Sequence, residues 1–422
     1  MMNPPTNQLE ISNAEIQAMT NTLQDWSSIN THSANLLGLE KMLSKLEVAF
    51  SPLEGFSQRI KLPERFDFDS KGEKFYHPVG DALYIKKNSQ APLQILLAGH
   101  IDTVFEETSP FQKAILLDKN RLSGPGVADM KGGILVMLKA LELFERSQVA
   151  KNIGWQILLT PDEEIGSPSS EFLYRQVAKE IHVGLIFEPS FSDGKFVSQR
   201  KGSLNLIAVA KGKTAHAGRD FHSGRNAIAA IAYFTSAAHD LNRHFPTITL
   251  NIGKISGGEA LNIIPDFANC HINIRADNDS DLTMISNKLE ELAKAAALSV
   301  AENGISISLC TLSKRAAKPF DCSTETLFQI VRNCGKDLSQ DLDWKPSGGV
   351  CDGNILAQTG VPTIDTLGVV GGNLHTFQEY MEIQSFSERA RLTAYLLISL
   401  ASNPKLQKQF RQNKEARNES SL

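Results

Sequence analysis

Hydrophobic positions along the chain follow two patterns, which together predict alternating buried strands and helices. Short uninterrupted apolar runs, such as residues 93–98 before Gly99, are typical of strands covered on both faces of a sheet. Apolar residues at helical spacing follow such runs, as in residues 131–146. This alternation predicts an α/β fold with a mostly parallel sheet flanked by helices. Further buried strands are expected at residues 154–160, 182–187 and 362–367.

The middle of the chain follows a different pattern. Residues 203–311 predict the order strand, helix, strand, strand, helix, strand, which is the split motif of ferredoxin-like α+β domains. Because the α/β pattern resumes afterwards, we predict an α/β domain formed by residues 1–198 and 317–422, with residues 199–316 inserted as a second domain. The length of 422 residues agrees, since one core usually stops growing at roughly 250 to 300 residues.

The two ends of the chain are predicted to differ. Ser12 and Glu15 have the spacing of a capping box at the start of a first helix. From Lys405 onward, basic residues are scattered among polar ones, which predicts a solvated or frayed face rather than a binding patch.

Composition and charge narrow the class of partner. Hydrophobic residues make up 41% and charged residues 21% of the chain, as in ordinary globular proteins. The formal charge of -4 gives no reason to expect nucleic acid or an anionic membrane surface. The N-terminus lacks the basic start and apolar segment of a secretory signal, and no window approaches the roughly 18 apolar residues of a membrane span. We therefore expect a cytoplasmic protein with a small-molecule substrate and neither nucleic acid nor membrane as partner.

Imidazole and carboxylate side chains follow three of the predicted strands. His100 and Asp102 follow the first, and in extended chain their side chains point the same way, so a carboxylate can orient the imidazole. Glu163 and Glu164 follow the second strand, and Glu188 follows the third. Taken singly, each is explained by a polar strand end or by acids at a helix N-terminus.

Two more candidate ligands lie in glycine-rich loops. Asp129 precedes a helix, where it could serve as an N-cap, and it stands where a dinucleotide-binding G-x-G-x-x-G loop would need glycine. His375 follows the pair Gly371-Gly372. In an open α/β sheet such loops converge in one crevice. Five nitrogen and oxygen ligands without thiolates suit zinc, manganese or cobalt, and with a carboxylate bridge they suit a metal pair about 3.5 to 4 Å apart.

Seven segments occur in a fixed order between about residues 95 and 385: GHIDTV, GPGVADMKGG, TPDEEIGS, FEPS, KTAHAG, SGGVCDG and GGNLHTFQEYM. This set resembles the co-catalytic di-zinc exopeptidase family of aminoacylase, succinyl-diaminopimelate desuccinylase, peptidase T and glutamate carboxypeptidase, and it is most similar to glutamate carboxypeptidase. The resemblance implies metal-dependent hydrolysis of the amide bond next to a C-terminal amino acid, in a small peptide or an N-acyl amino acid. It implies two Zn²⁺ ions, with Mn²⁺ or Co²⁺ as substitutes, and an inserted domain that acts as a lid.

The resemblance also assigns roles to the metal ligands. Asp129 would bridge the two ions, His100 and Glu188 would complete one ion, and Glu164 and His375 would complete the other. Asp102 would orient His100, and Glu163 would be the general base. The family also commonly has a cis peptide bond after the residue that corresponds to Asp129.

Five further residues would contact the substrate. His216 would bind the oxyanion or the substrate carboxylate, and Asn262, Arg275 and Gly349 would help to hold the substrate. Lys318 stands where relatives often have arginine, and it keeps the charge without the bidentate fork. A solvent-facing histidine and a surface arginine are the alternatives for His216 and Arg275.

Several alternatives stay open at this point. An N-acyl-amino-acid deacylase or a dipeptidase of the same family would carry the same motifs. A non-catalytic binding protein on the same fold would be expected to lack a ligand or the base, and all are present here. We expect a homodimer through the lid, because its sheet leaves an open edge. The chain that supplies His216 to a given site is not decided by the sequence.

Overall fold

The computed structural model describes residues 9–69 and 73–419, so the predicted outer bounds at residues 1 and 422 lie outside the described residues. The first part of the chain contains four helices and ten strands among these residues. They are α1 (Asn13–Ser27), α2 (Leu36–Phe50), β1 (Phe56–Ile60), β2 (Arg65–Phe68), β3 (Lys74–His77), β4 (Ala82–Lys87), β5 (Gln94–His100), β6 (Ile115–Leu116), β7 (Arg121–Ser123), α3 (Lys131–Glu145), β8 (Gly154–Thr160), α4 (Glu171–Ala178), β9 (Val183–Ile186) and β10 (Phe196–Arg200).

The middle part forms the ferredoxin-like unit. Its elements are β11 (Gly202–Lys211), β12 (Ala215–His216), α5 (Ala227–His244), β13 (Thr249–Gly257), β14 (Ile263–Ile264), β15 (Phe267–Ala276), α6 (Asp279–Val300) and β16 (Ser306–Arg315). Four of them form an antiparallel sheet in the order β13-β15-β11-β16. Leu206 and Ile272 of the sheet pack with Phe234 of α5 and Ile285 of α6 in one buried cluster. Both helices therefore cover the same face of the sheet, and we call this unit the lid.

The last part returns to the α/β unit. Its elements are α7 (Cys322–Asp337), β17 (Trp344–Ser347), α8 (Gly353–Gln358), β18 (Thr363–Ile364), β19 (Gly371–Gly372), β20 (Tyr380–Glu382), α9 (Ser385–Ser402) and α10 (Pro404–Glu419). Among the helices described, none combines the length and apolar character that crossing a bilayer would require.

A six-stranded sheet forms the centre of the α/β unit, in the order β1-β4-β8-β5-β9-β18. The four strands β8, β5, β9 and β18 are parallel, whereas β4 is antiparallel to both of its neighbours, β1 and β8. Side chains of β5 alternate between two buried clusters, with Leu97 facing the cluster that contains α3 and α9 and Leu96 facing the cluster that contains α4 and α8. Helices therefore cover both faces, which confirms the mostly parallel α/β architecture with an inserted ferredoxin-like unit.

The expectation of a solvated face at the tail is confirmed, since Lys405, Lys408 and Arg411 are exposed. The tail forms α10, whose Phe410 is fully buried in the main cluster. Asn403 accepts hydrogen bonds from the N–H groups of Lys405 and Leu406, which caps the start of the helix. Leu406 also packs against this cluster, so apolar side chains of α10 attach the tail to the α/β unit.

Candidate metal centre

Three neighbouring parallel strands deliver their loops to the same edge of the sheet. In the registers of β5 with β8 and of β5 with β9, His100 lies opposite Thr160 and Ala98 lies opposite Ile186. The three strand ends therefore lie side by side, which places His100 next to the turn after Thr160 and the residues after Ile186. This alignment of strand ends is why distant motifs meet in one place.

Asp129 lies at the centre of the cluster, in the loop before α3. Its Oδ1 is 3.1 Å from Nε2 of His100, and its Oδ2 is 3.4 Å from Nε2 of His375. On the first side, Glu188 Oε2 lies 3.7 Å from the same nitrogen of His100. On the second side, Glu164 Oε2 lies 3.3 Å from Nε2 of His375. The five predicted ligands thus form two groups that share one carboxylate. The peptide bond that follows Asp129 is cis.

The electrostatics of the cluster fit cations. Burial and the charge of Asp129 raise the pKa of Glu164 to about 8. Burial likewise raises the pKa of Glu188 to about 8. Hydrogen bonds to Asp129 and Glu164 raise the pKa of His375 to about 11. Without a cation the cluster retains protons, and a divalent ion would replace them. Imidazole and carboxylate donors, with Asp129 presenting one oxygen to each group, fit a pair of such ions.

Asp102 connects His100 to the neighbouring loop. His100 Nδ1 lies 3.0 Å from the Asp102 carbonyl oxygen and 3.3 Å from its Oδ1. The Asp102 carboxylate also accepts hydrogen bonds from the N–H groups of Glu163 and Glu164, at 3.2 and 3.1 Å, and from Ser33 Oγ at 2.7 Å. One buried carboxylate therefore fixes both the imidazole and the 3₁₀ turn of the two acids.

The cluster opens into a cleft of about 370 Å³, which we call the acidic cleft. Six of its lining residues were predicted as site residues: Asp129, Glu163, Glu164, Glu188, Gly349 and His375. Glu163 is only 9% exposed, and its Oε1 accepts a hydrogen bond of 2.6 Å from Nη1 of Arg315. Arg200 also lines the cleft, and it is mostly buried.

Four other predicted residues, His216, Asn262, Arg275 and Lys318, belong to the lid or its junction and do not line the acidic cleft. His216 and Asn262 are exposed neighbours, joined through a hydrogen bond from Ala217 N to Asn262 O of 2.9 Å. Arg275 is half-buried, and burial together with the charge of Arg315 lowers its pKa. Lys318 is fully buried, with its Nζ 3.1 Å from Asp365 Oδ2.

Four functional neighbours were missed as site residues by sequence reasoning. Glu379 is buried and accepts hydrogen bonds from the N–H groups of Gly126, Ala128 and Asp129, at 3.2, 2.8 and 3.1 Å. It therefore fixes the loop of the shared carboxylate. Its position four residues after His375, inside a recognised motif, was the available signal. The other three are Arg200, Arg315 and Asp352, and the distances that make them relevant arise only from the fold.

Comparison with known proteins places the chain in a family. Residues 96–399 match the protein family described as "Peptidase family M20/M25/M40". Carboxypeptidase G2 of Pseudomonas sp. (strain RS-16) is 26% identical over 326 residues, covering 77% of this chain and 78% of the relative. Succinyl-diaminopimelate desuccinylase of Hahella chejuensis (strain KCTC 2396) is 26% identical over 349 residues, covering 76% and 86%. A tripeptidase structure from Staphylococcus aureus superposes with a TM-score of 0.70 at 22% identity, covering 92% and 99%.

The family match covers well over half of the described residues, and the convergence of His100, Asp129 and Glu164 to within 4.8 Å supplies a candidate metal centre inside it. The chain therefore belongs to peptidase family M20/M25/M40 and is a metal-dependent hydrolase of that family.

Proposed function

We propose that this protein is a glutamate-carboxypeptidase-like exopeptidase that hydrolyses the amide bond next to a C-terminal amino acid. Support comes above all from Asp129, whose two carboxylate oxygens face two different imidazoles. Such an arrangement suits two ions that share one bridging carboxylate.

Two zinc ions would be held by the five clustered side chains. Asp129 would bridge them, with His100 and Glu188 on one ion and Glu164 and His375 on the other. When bound, the ions would lower the pKa of a water and polarise the scissile carbonyl. Mn²⁺ or Co²⁺ would satisfy the same donors.

Glu163 would act as the general base. Its Oε1 is engaged by Arg315, whereas Oε2 has no hydrogen-bond partner among the described residues. We expect Oε2 to accept the proton of the attacking water and to deliver it to the departing amine nitrogen.

The lid would contribute groups for the substrate carboxylate or oxyanion. Nδ1 of His216 accepts hydrogen bonds from the N–H groups of Gly218 and Arg219, both at 3.1 Å, so the ring proton resides on Nε2. That N–H is exposed and free to donate to an oxyanion. Asn262 and Arg275 would assist from the same unit, and Gly349 would do so from the wall of the cleft. Lys318 is less suited, since Asp365 already neutralises its buried ammonium group.

The proposal includes a homodimer that forms through the lid. Strand β13 is an edge strand of the lid sheet, and Ile255 on it is 57% exposed. On the adjacent helix α5, Tyr233 is 58% exposed. A second copy would cover these apolar side chains and the open edge.

A deacylase of the same family is the second candidate, because a desuccinylase relative matches with the same identity as a carboxypeptidase. A dipeptidase would also use this cleft. A substrate panel of N-acetyl amino acids, dipeptides and pteroyl-type glutamate conjugates separates the three activities by their kcat/KM values.

The metal requirement is tested on the same panel. We expect two zinc ions per chain by elemental analysis, loss of hydrolysis after chelation, and recovery when zinc is returned. Hydrolysis that persists in metal-free protein, or a fully metallated protein that cleaves no member of the panel, would contradict the proposed function.

A further inference from the structure

The lid sends one buried arginine into the loop that carries the proposed base. Arg315 is the last residue of β16, and it is only 4% exposed. Its Nη1 donates to Glu163 Oε1 at 2.6 Å, and its Nη2 lies 3.0 Å from Asp352 Oδ1. Nη2 also donates to Ser167 Oγ. All three partners belong to the α/β unit, so this side chain joins the lid directly to the catalytic loop.

The guanidinium is itself held in a fixed orientation. Asp352 Oδ1 accepts a hydrogen bond from Ser167 Oγ, and Asp352 Oδ2 accepts one from Thr160 Oγ1 at 3.3 Å. Thr160 is the last residue of β8, so the network is anchored at the end of a central strand. The guanidinium of Arg315 therefore contacts Glu163 from a position that this network fixes.

Glu163 is fixed at its backbone as well as at its carboxylate. Its N–H donates to Asp102 Oδ1 at 3.2 Å, and its carbonyl oxygen accepts from Arg315 Nη2 at 3.3 Å. With Oε1 taken by Arg315, the side chain has Oε2 left for the acidic cleft that it lines. A planar, two-pronged donor determines such an orientation more strictly than a single ammonium group can.

Charge favours the same arrangement. Burial alone would lower the pKa of Arg315, but the charges of Glu163 and Asp352 outweigh it and keep the pKa raised. Arg315 is therefore a permanent cation beside a group of acids. The charge of Glu163 also adds to the raised pKa of Glu164 and Glu188, so a compensating cation at Glu163 eases the crowding.

Other contacts hold the junction between the lid and the α/β unit together. Arg200 and Lys318 exchange backbone hydrogen bonds of 3.0 Å across the two connecting segments, and both side chains contact Asp365 Oδ2. Asn354 Nδ2 donates to the carbonyl oxygens of Lys201 and Ala316, at 2.9 and 2.8 Å. Because these contacts already join the segments, the bond from Arg315 to Glu163 is not needed to attach the lid.

We propose that Arg315 is a positioning residue, which holds the Glu163 carboxylate with Oε2 toward the acidic cleft and ties that orientation to the position of the lid. This inference rests on the proposed function, in which Glu163 is the base. Hydrolysis would then depend on Arg315 through turnover more than through substrate binding.

Steady-state kinetics test the inference with Arg315→Lys and Arg315→Met on the best substrate of the panel. For Arg315→Met we expect kcat to fall about 100-fold, the loss that misplacement of a reacting group by about 1 Å can cause. Arg315→Lys should retain part of the kcat that Arg315→Met loses, because lysine keeps the positive charge but lacks the planar pair of N–H donors. KM should stay within about threefold and zinc content should not change, since neither depends on the orientation of Glu163.

Lys139→Met is the matched control for loss of a buried cation. Lys139 pairs with Glu15 and Glu142 on another face of the α/β unit. The Lys139→Met variant should lose stability to a degree similar to the Arg315 variants and keep the kcat of wild type. If kcat of both Arg315 variants stays within about threefold of wild type, or falls only in proportion to thermal stability as in the control, the inference is overturned.

Crystal structures of wild type and Arg315→Lys separate this inference from the proposed function. We expect the Glu163 carboxylate to be rotated or to occupy more than one conformer in the variant. An unmoved carboxylate would overturn the positioning role, whatever the activity. A wild-type protein that cleaves no panel member would overturn the proposed function while the crystal comparison still decides whether Arg315 positions Glu163.

Discussion

At the scale of single residues, the cleft is organised by carboxylates that each serve two neighbours. Asp129 faces two imidazoles, and Asp102 fixes both His100 and the turn of Glu163. Residue types and spacing predicted that these acids would gather. The hydrogen bonds that orient them were not predictable, because they join segments separated by tens to hundreds of residues. Arg315 is the clearest case, since an arginine at a strand end has no local feature that points to Glu163.

Replacement of Glu163 by glutamine should separate catalysis from metal binding. The amide cannot accept a proton, so we expect kcat to fall by about 10² to 10⁴-fold, which is the usual contribution of a general base. Zinc content by elemental analysis should equal that of wild type, because Glu163 is not among the proposed ligands.

Glu171→Gln is the control for this change. Glu171 lies in the first turn of α4 and pairs with Arg175 at the surface. It should leave kcat unchanged. A Glu163→Gln enzyme with wild-type turnover would remove Glu163 from the mechanism.

At the scale of elements, the sequence predicted a helix or strand correctly where the residues that stabilise it lie within or next to it. The capping box of Ser12 and Glu15 is present at the start of α1, as predicted. Helix α4 begins at Glu171, and before it Asp162 Oδ2 accepts hydrogen bonds from the N–H groups of Ser169 and Ser170, which holds that segment as a loop.

The cap of α1 should make stability depend on pH. Hydrogen bonds from Ser12 N–H and from Lys139 lower the pKa of Glu15 from 4.5 to about 2. A lowered folded-state pKa means that the stabilisation is present above pH 4.5 and is lost as the pH falls toward 2. Glutamine can still accept the Ser12 N–H bond of the capping box, so Glu15→Gln should cost no more than about 1 kcal/mol at pH 7, from loss of the charge, and little below pH 2.

Urea denaturation of Glu15→Gln and wild type at pH 7, 5 and 3 would measure this dependence. The exposed Glu10, which lies outside the helix, supplies the control Glu10→Gln. A destabilisation that is constant across the three pH values would show that the ionised carboxylate is not its source.

A glycine in α3 sets how closely the helix approaches the end of β9. A Cβ atom on Gly133 would lie 1.9 Å from the carbonyl oxygen of Phe187, next to Glu188. Gly133→Ala must push α3 away from that strand end, and we expect a loss of about 3 kcal/mol in the free energy of unfolding. Thermal unfolding measures the loss.

Gly348→Ala is the matched control, since a Cβ atom there meets nothing within 4 Å. It should be close to neutral. If both alanine variants unfold at the same temperature, α3 tolerates the displacement and the close approach is not a constraint.

At the scale of the whole molecule, the proposed dimer would couple assembly to catalysis through the lid. His216 and Asn262 of the lid are exposed and do not line the acidic cleft of the same chain. If they contact the substrate as proposed, either a lid movement or a second chain would bring them to it. The proposed dimer would supply the second chain. Strand β13, at the edge of the lid sheet, offers a direct test of that dimer.

Ile255→Asp should convert the dimer to a monomer, because it buries a charge in the proposed interface. Sedimentation velocity measures the mass. Leu298→Asp is the control, since Leu298 is 64% exposed on α6, which packs beside β16 at the opposite edge of the lid. A wild-type chain that sediments as a monomer contradicts the dimer. Loss of activity with dissociation would assign His216 to the neighbouring active site.

By itself, the sequence determined the fold class, the inserted lid and the set of side chains that gather at the ends of the strands. Hydrophobic periodicity and glycine-rich loops can be identified from residues that are close in sequence. Parallel strands bring their carboxyl ends to one edge of the sheet whatever lies between them. Only the tertiary structure decided the contacts that no motif implied: Glu379 beneath the loop of Asp129, Arg315 on Glu163 and Lys318 on Asp365. Such pairings depend on distances of a few ångströms between remote segments, and packing of the whole chain is what fixes them.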